Sequence, residues 1–560
     1  MLALAQFPSQ GDLLKFIYNA TGIIPSKKYF IVDTEIDGKS LHKSLERLAK
    51  EEGDFLKHFE QHANEFRSAI HGLFANDMYS NTLHDPLVEL FQIYTQTVLT
   101  DHTYLEKKRS LSYLIHNTFL QRATISIFKY QQYYSAFLDA SFSPNDSFWY
   151  LGYKDITPLA CVVKWIYDCE KKSQAEFHNT FCEKYGEDLD QIEKDLANVN
   201  NWASSTVKLP AFSNILDVFD RAFKFHNIEE DRRHKYIFFL LIARFATYCL
   251  KILHEKYERE DVSSILKKIK NYLVLLNKDY KQFCSIIEDN RCSKLTNAEK
   301  EIERDVGGGW LKIHNVDFFL DKCEKVQIDI AYNLNKIQSK YIEDSLKNNY
   351  AHRKTLYKIH QEVLERLNIN STAPDKFIIK CFQDTLVPFN DRGYIKNIGN
   401  CIYGYDVMKG KYNYQSWLKE YYKVGNDRVY PWLVHWIDGM RFFQKTEFEK
   451  ALIEMQQAFK TIRYVAGSKQ QRFIEDYMIV ALAQANKSGN IQGWKDFKLA
   501  FKWGVFMNNF DAFPEFYSDK NDEELRTIFK ENKKAFKSCS TSIMDTRLLA
   551  KLLFHWKYDT

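Results

Sequence analysis

HWIDGMRFFQKTEFEKALIEMQQAFK, residues 435–460, is the stretch on which the fold turns. Its apolar side chains recur at three- and four-residue intervals, the rhythm of helices that each bury one stripe. Lys445 to Phe448 interrupts that rhythm and supplies a turn, so the segment predicts two helices folded back on one another. Small side chains stand where the pair would meet: Gly439 in the first helix, and Ala451 and Ala458, seven residues apart, on one stripe of the second. A large residue at Gly439 would push the helices apart, whereas two alanines on one stripe let backbones approach.

The separations between Gly439, Phe442, Ala451 and Ala458, of 3, 9 and 7 residues, resemble the tetratricopeptide repeat. In that family a small residue in the first helix admits the second, an aromatic follows three later, and two alanines tighten the hairpin. His435 stands in register with the family's first-position Trp, with Trp436 one residue later, and no Pro closes the repeat near Arg463. A more degenerate unit follows in YMIVALAQANKSGNIQGWKDFKLAFKWG, residues 477–504, with an Ala-rich helix, a Gly-Asn turn at 489–490 and an aromatic helix. There Trp494 replaces the small residue. The resemblance covers residues 433–503 and implies stacked hairpins whose first helices hold a peptide or partner helix. On that implication Trp436, Met440, Phe443 and Gln444 line the partner-binding face. The plainer alternative is that a Trp, Met and Phe stripe at helical spacing is core.

Outward from this segment the composition agrees. Only 20 Gly and 10 Pro occur among 560 residues, against 42 Phe, 34 Tyr and 10 Trp, so turn formers are scarce and large side chains abundant. That balance favours long helices packed through aromatic layers, and the expected class is all-α. Residues 41–75 show it, with Leu41, Leu45, Leu48, Phe55, Phe59, Phe66, Ile70 and Phe74 at helical intervals. At 45% hydrophobic and 27% charged, the chain is globular in character and neither disordered nor membrane-embedded. Tyr236 to Leu253 is apolar enough to suggest a span, but Arg244 and Lys251 interrupt it, and a buried helix with those charges emerging at one edge is expected. The N-terminus lacks a basic segment followed by an apolar run, which makes a cytoplasmic protein the default expectation.

The turn-rich segment 139–158 and the glycine- and tyrosine-rich segment 384–413 divide the sequence. They predict an N-terminal helical domain (1–145), a central helical domain (146–383), a linker (384–413) and a C-terminal hairpin array (414–560). Ten scattered cysteines form no CxxC pair and read as reduced, so no disulfide framework or zinc set is expected.

Few constellations suggest chemistry. His58, His62 and Glu65 lie at i, i+4 and i+7, a spacing that could face a metal but that helix-packing histidines explain more simply. Gly307 to Gly309 lacks the lysine and serine of a phosphate loop and reads as a joint. No cofactor or metal is expected, and an enzyme would need an unrecognised site. A charge of +5, from 78 basic and 73 acidic residues, does not demand nucleic acid. Lys495, Lys498, Lys502 and Trp503 nevertheless interleave cations with aromatics, and Lys530, Lys533, Lys534 and Lys537 cluster nearby, as a single-strand-binding surface would. The leading expectation is therefore a scaffold or adaptor that binds a protein partner through its C-terminal hairpins. The alternatives are a nucleic-acid-binding subunit of a multi-component system, phage defence being one example, and an enzyme of unfamiliar type.

Overall fold

The computed structural model describes residues 9–24, 38–50, 55–74, 120–137, 148–152, 156–179, 189–203, 209–292, 315–326, 376–385, 413–423, 431–465, 469–488 and 491–506, with isolated positions between. Among them every regular element is helical, so the expected all-α class holds. First come α1 (Gln10–Thr21), α2 (Gly38–Ala49), α3 (Phe55–Gly72) and α4 (Leu120–Phe137). After a 3-10 turn at Trp149–Leu151 follow α5 (Pro158–Glu170), α6 (Gln174–His178), α7 (Leu189–Ala203), α8 (Phe212–Phe225), α9 (Glu230–Lys256), α10 (Arg259–Cys292) and α11 (Lys376–Thr385). The last group is α12 (Tyr414–Lys423), α13 (Pro431–Gln444), α14 (Phe448–Val465), α15 (Lys469–Ser488) and α16 (Ile491–Phe506).

Local chemistry sets several of these limits. Ser9 Oγ accepts from the Asp12 N–H at 2.9 Å while the Asp12 carboxylate accepts from the Ser9 N–H at 3.0 Å, a capping box that starts α1. Thr157 caps α5, and Pro158 occupies its first turn, where a missing N–H costs nothing.

The central element is α9, which packs on α1, α5, α8 and the 3-10 turn. It is long and apolar enough to cross a membrane, but here its Tyr236, Phe238, Phe239, Leu240 and Leu241 are buried against protein. Phe239 meets Trp149 and Trp165 edge-on, at centroid separations of 5.9 and 4.9 Å. Arg244 departs from expectation. Instead of emerging at an edge it is 4% exposed, and its guanidinium donates to the carbonyls of Pro210 (2.7 Å), Asn19 (2.8 Å) and Ala20. The last two belong to the final turn of α1, whose carbonyls lack helical partners and carry the negative end of the helix dipole. Burial draws the Arg244 pKa down to about 10, which leaves it charged at neutral pH. Gly22 ends α1 with φ 67°, and a Cβ there would collide with that guanidinium.

These contacts cross the boundary expected at 145. α1 lies on α9 and α4 on α10, Gln132 donates to Asn277 at 3.0 Å, and the Phe212 N–H donates to the Gly22 carbonyl at 2.9 Å. Among the described residues, elements from 1–145 and from 146–383 therefore pack on one another across that boundary. The expected linker lies almost wholly outside the described residues.

In the C-terminal region α13 and α14 form a hairpin closed by Thr446, whose φ of 63° lets Glu447 N–H donate to the Phe442 carbonyl at 3.0 Å. A Cβ at Gly439 would lie 3.3 Å from the Ala451 carbonyl oxygen and 3.2 Å from Met455, and Ala451 and Ala458 are fully buried. The α15–α16 hairpin is tighter. A Cβ at Gly493 would come within 2.7 Å of both the Ala481 carbonyl oxygen and the Ala485 amide nitrogen. Its small residue thus stands one position before Trp494, on the second helix, with the alanines on the first: the α13–α14 arrangement with the helices' roles exchanged. α15 also packs on α13 and α14.

Candidate functional site

The sequence placed a partner-binding face on α13, and the structure distributes those side chains differently. Trp436, Met440 and Phe443 are 0%, 1% and 4% exposed, and only Gln444 is open to solvent. Three of the four therefore follow the plainer reading, as core. Trp436 donates its indole N–H to Asp476 on α15 at 3.0 Å and meets Phe473 edge-on at 5.7 Å, so it joins one hairpin to the next. Beyond Pro431, the side chains α13 leaves half-exposed are Val434, His435, Asp438, Arg441 and Phe442, at the spacing of one helical stripe. The three polar ones are paired. His435 Nδ1 lies 2.7 Å from the Glu454 carboxylate, Asp438 accepts from Tyr414 at 3.0 Å and from Arg441 at 3.2 Å, and Arg441 lies 3.5 Å over the Tyr414 ring.

On α16 the expected alternation of cations and aromatics separates into two faces. Trp494, Phe497, Phe501 and Trp503 are buried, with Trp503 edge-on to Phe459 at 6.1 Å, while Lys495 is exposed and Lys498 half-exposed. Trp503 is unavailable for stacking on a base, because its ring is spent on the core. The Lys502 side chain, Gly307 to Gly309 and Lys530 to Lys537 lie outside the described residues.

A different cluster was hidden in the sequence. His62, 2% exposed, lies with Nε2 2.7 Å from Ser44 Oγ on α2 and Nδ1 2.8 Å from the Glu65 carboxylate on α3. Burial alone would raise the Glu65 pKa, but hydrogen bonds from His62 and Gln61 and the imidazole charge more than offset this and hold it below the usual carboxylate range. An ionised carboxylate can only accept, so Nδ1 carries the hydrogen and Nε2 is left to face the Ser44 hydroxyl. Tyr18 fixes the turn of α3 that holds the ring, donating to the His62 carbonyl at 2.7 Å. Serine, imidazole and carboxylate thus follow one another in the order of an activated nucleophile, its base and the group that orients the base.

Comparison with protein-family models, curated proteins and solved structures finds no match to this chain.

The spacing of His62 and Glu65 marks this helix in the sequence, but for the wrong partner. His58 does not join them, and both ring nitrogens of His62 are taken by Ser44 and Glu65. Among the described residues no group of three or more His, Cys, Asp or Glu side chains converges as a metal set. Ser44 carried no signal in the sequence, since its proximity follows from how α2 crosses α3. The described cysteines 161, 169, 249, 284, 323 and 381 form no disulfide.

Proposed function

We propose that this chain is a helical scaffold, a cytoplasmic component of a multi-protein complex that binds a protein partner through its C-terminal hairpins. Its mechanism is recognition, without bond chemistry. The observation that supports this reading is the close stacking of α13 to α16 through Gly439 and Gly493, which resembles tetratricopeptide hairpins. Such arrays offer outward side chains on a rigid core. On this reading the partner meets the half-exposed stripe of α13, His435, Asp438 and Arg441 with Gln444 at its end, and the buried aromatics serve only to hold that stripe still. Replacing Trp436 or Phe443 by Ala would damage the array itself, so the informative variant is Arg441→Glu with Gln444→Arg. It should retain native circular dichroism and lose the proteins captured by the wild-type chain in a pull-down read by mass spectrometry. An unchanged set of captured proteins would count against the proposal.

The Ser44, His62 and Glu65 geometry favours a second reading, acyl transfer. In it Ser44 Oγ bonds to the carbonyl carbon of an ester, its proton passes to His62 Nε2 and on to the departing alkoxide, and water then releases the acyl group. Incubation with a fluorophosphonate followed by peptide mass spectrometry tests it directly. Labelling of Ser44 that Glu65→Gln slows at least about tenfold is expected, and an unlabelled Ser44 dismisses this reading while leaving the scaffold intact.

A further inference from the structure

The 34-residue helix α10 carries a face that neither reading uses. Its apolar side, including Tyr272, Leu273, Leu276, Tyr280 and Phe283, is buried, and the helix packs on α4 and α11. Between Val262 and Ile286 the ionisable groups on it are five lysines, three tyrosine or cysteine side chains and one carboxylate, Asp279. That carboxylate is 2% exposed and faces inward, where it accepts from the Phe377 N–H of α11 at 3.0 Å. Every exposed charge over this length is therefore a lysine, and the exposed carboxylates Glu260 and Asp261 lie in the first turn, before the lysines begin.

Four of them, Lys267, Lys270, Lys278 and Lys281, are exposed. At 100° and 1.5 Å per residue they fall within an arc of about 80° along about 21 Å of the helix. Ser263, Asn271, Gln282 and Ser285, exposed on the same side, add neutral hydrogen-bonding groups. The neighbouring helical residues 315–326 do not extend the stripe, since Lys322 and Lys325 are interspersed there with Asp317, Asp321 and Glu324.

We infer that this face of α10 binds the phosphate backbone of duplex nucleic acid without regard to base sequence. A straight line of like charge matches a regular row of phosphates, and neutralising them releases condensed counterions. A lipid surface fits less well. A membrane-lying helix inserts a large apolar face beside its cations, whereas here that face is in the core and Val274 is the large apolar side chain left on the stripe. A single strand also fits less well, because stacking requires exposed aromatics and the aromatics of α10 between 267 and 281, Tyr272 and Tyr280, are buried.

The test is fluorescence anisotropy of labelled 30-base-pair duplexes, DNA and RNA, titrated with the full chain at increasing salt. Four phosphate contacts give a slope of log affinity against log salt of about −3.6, so that raising salt from 50 to 200 mM weakens binding about a hundredfold. Lys267→Gln, Lys270→Gln, Lys278→Gln and Lys281→Gln together should abolish the salt dependence and most of the binding, with native circular dichroism. Lys495→Gln with Lys498→Gln should leave both unchanged. No anisotropy change at 50 mM salt overturns the inference, and so does undiminished binding by the quadruple variant. Tighter binding of the isolated strands, or sedimentation with phosphatidylserine vesicles in place of duplex binding, also overturns it. Neither the α13 stripe nor Ser44 enters this experiment, so its failure is distinct from theirs.

Discussion

Gly439 and Gly493 do the same steric work with unequal tolerance. At Gly439 the nearest obstacles are the flexible Met455 side chain at 3.2 Å and the Ala451 carbonyl at 3.3 Å, and a methyl group there needs only a few tenths of an ångström. At Gly493 the obstacles are two backbone atoms of α15 at 2.7 Å, which move only if the helix moves. Alanine in a helix gains about 1 kcal/mol over glycine, and overpacking a tight contact costs about 1 to 3 kcal/mol. Gly439→Ala should therefore leave stability within about 1 kcal/mol of wild type, while Gly493→Ala should lower it by about 2 kcal/mol. Chemical unfolding followed by tryptophan fluorescence measures both, and equal losses at the two sites would show that the α15–α16 crossing is looser than described.

Between helices, Asp496 ties three elements together. Its carboxylate accepts from Gln456 on α14 at 2.7 Å, from Tyr477 on α15 at 3.0 Å and from Gln492 on its own helix at 3.2 Å. Burial raises its pKa more than these three neutral donors lower it. The folded chain thus holds this proton at pH values where the open chain has lost it, and its contribution to stability is fully present below the open-chain value of about 4. That contribution declines as the pH rises through the folded value. Asp496→Asn should remove the decline and be at least as stable as wild type at pH 8, read as melting temperature between pH 4 and 8. A wild-type melting temperature that gains on the variant as the pH rises would contradict this. How much of such structure was readable in advance depends on distance along the chain. The α13–α14 hairpin is local in the chain, and its glycine and alanines, all within residues 435–460, mark the crossing. Nothing local distinguishes Trp436 in a groove from Trp436 in a core, because the side that α15 covers is decided by the next hairpin. Gly493 is inconspicuous in the sequence beside Trp494, since a one-residue change of register rotates a helix by about 100°. Ser44 and His62 meet only because two helices cross, and no periodicity within either helix encodes that meeting.

Across the whole molecule, contacts bridge the first two expected domains, and Arg244 is the deepest of them. A guanidinium more than 220 residues away in sequence closes the last turn of α1, and a buried charge that loses its partners costs about 3 to 5 kcal/mol. The apolar contacts run the same way. Phe128 of α4 meets Tyr280 of α10 at 5.3 Å and Phe319 at 5.9 Å, and Phe74 meets Phe238 of α9 at 6.3 Å. A fragment comprising residues 1–145 would expose all of these faces and leave the α1 carbonyls to water. It should therefore show partial helicity, bind a hydrophobic dye and melt without a cooperative transition, whereas a fragment ending at Thr385 should melt cooperatively. Arg244→Met in that longer fragment should lower its melting temperature far more than Lys251→Met, because Lys251 is only half-buried. A dispersed amide spectrum and a sharp transition from residues 1–145 alone would restore the boundary at 145 and make the contacts across it a docking of two finished domains.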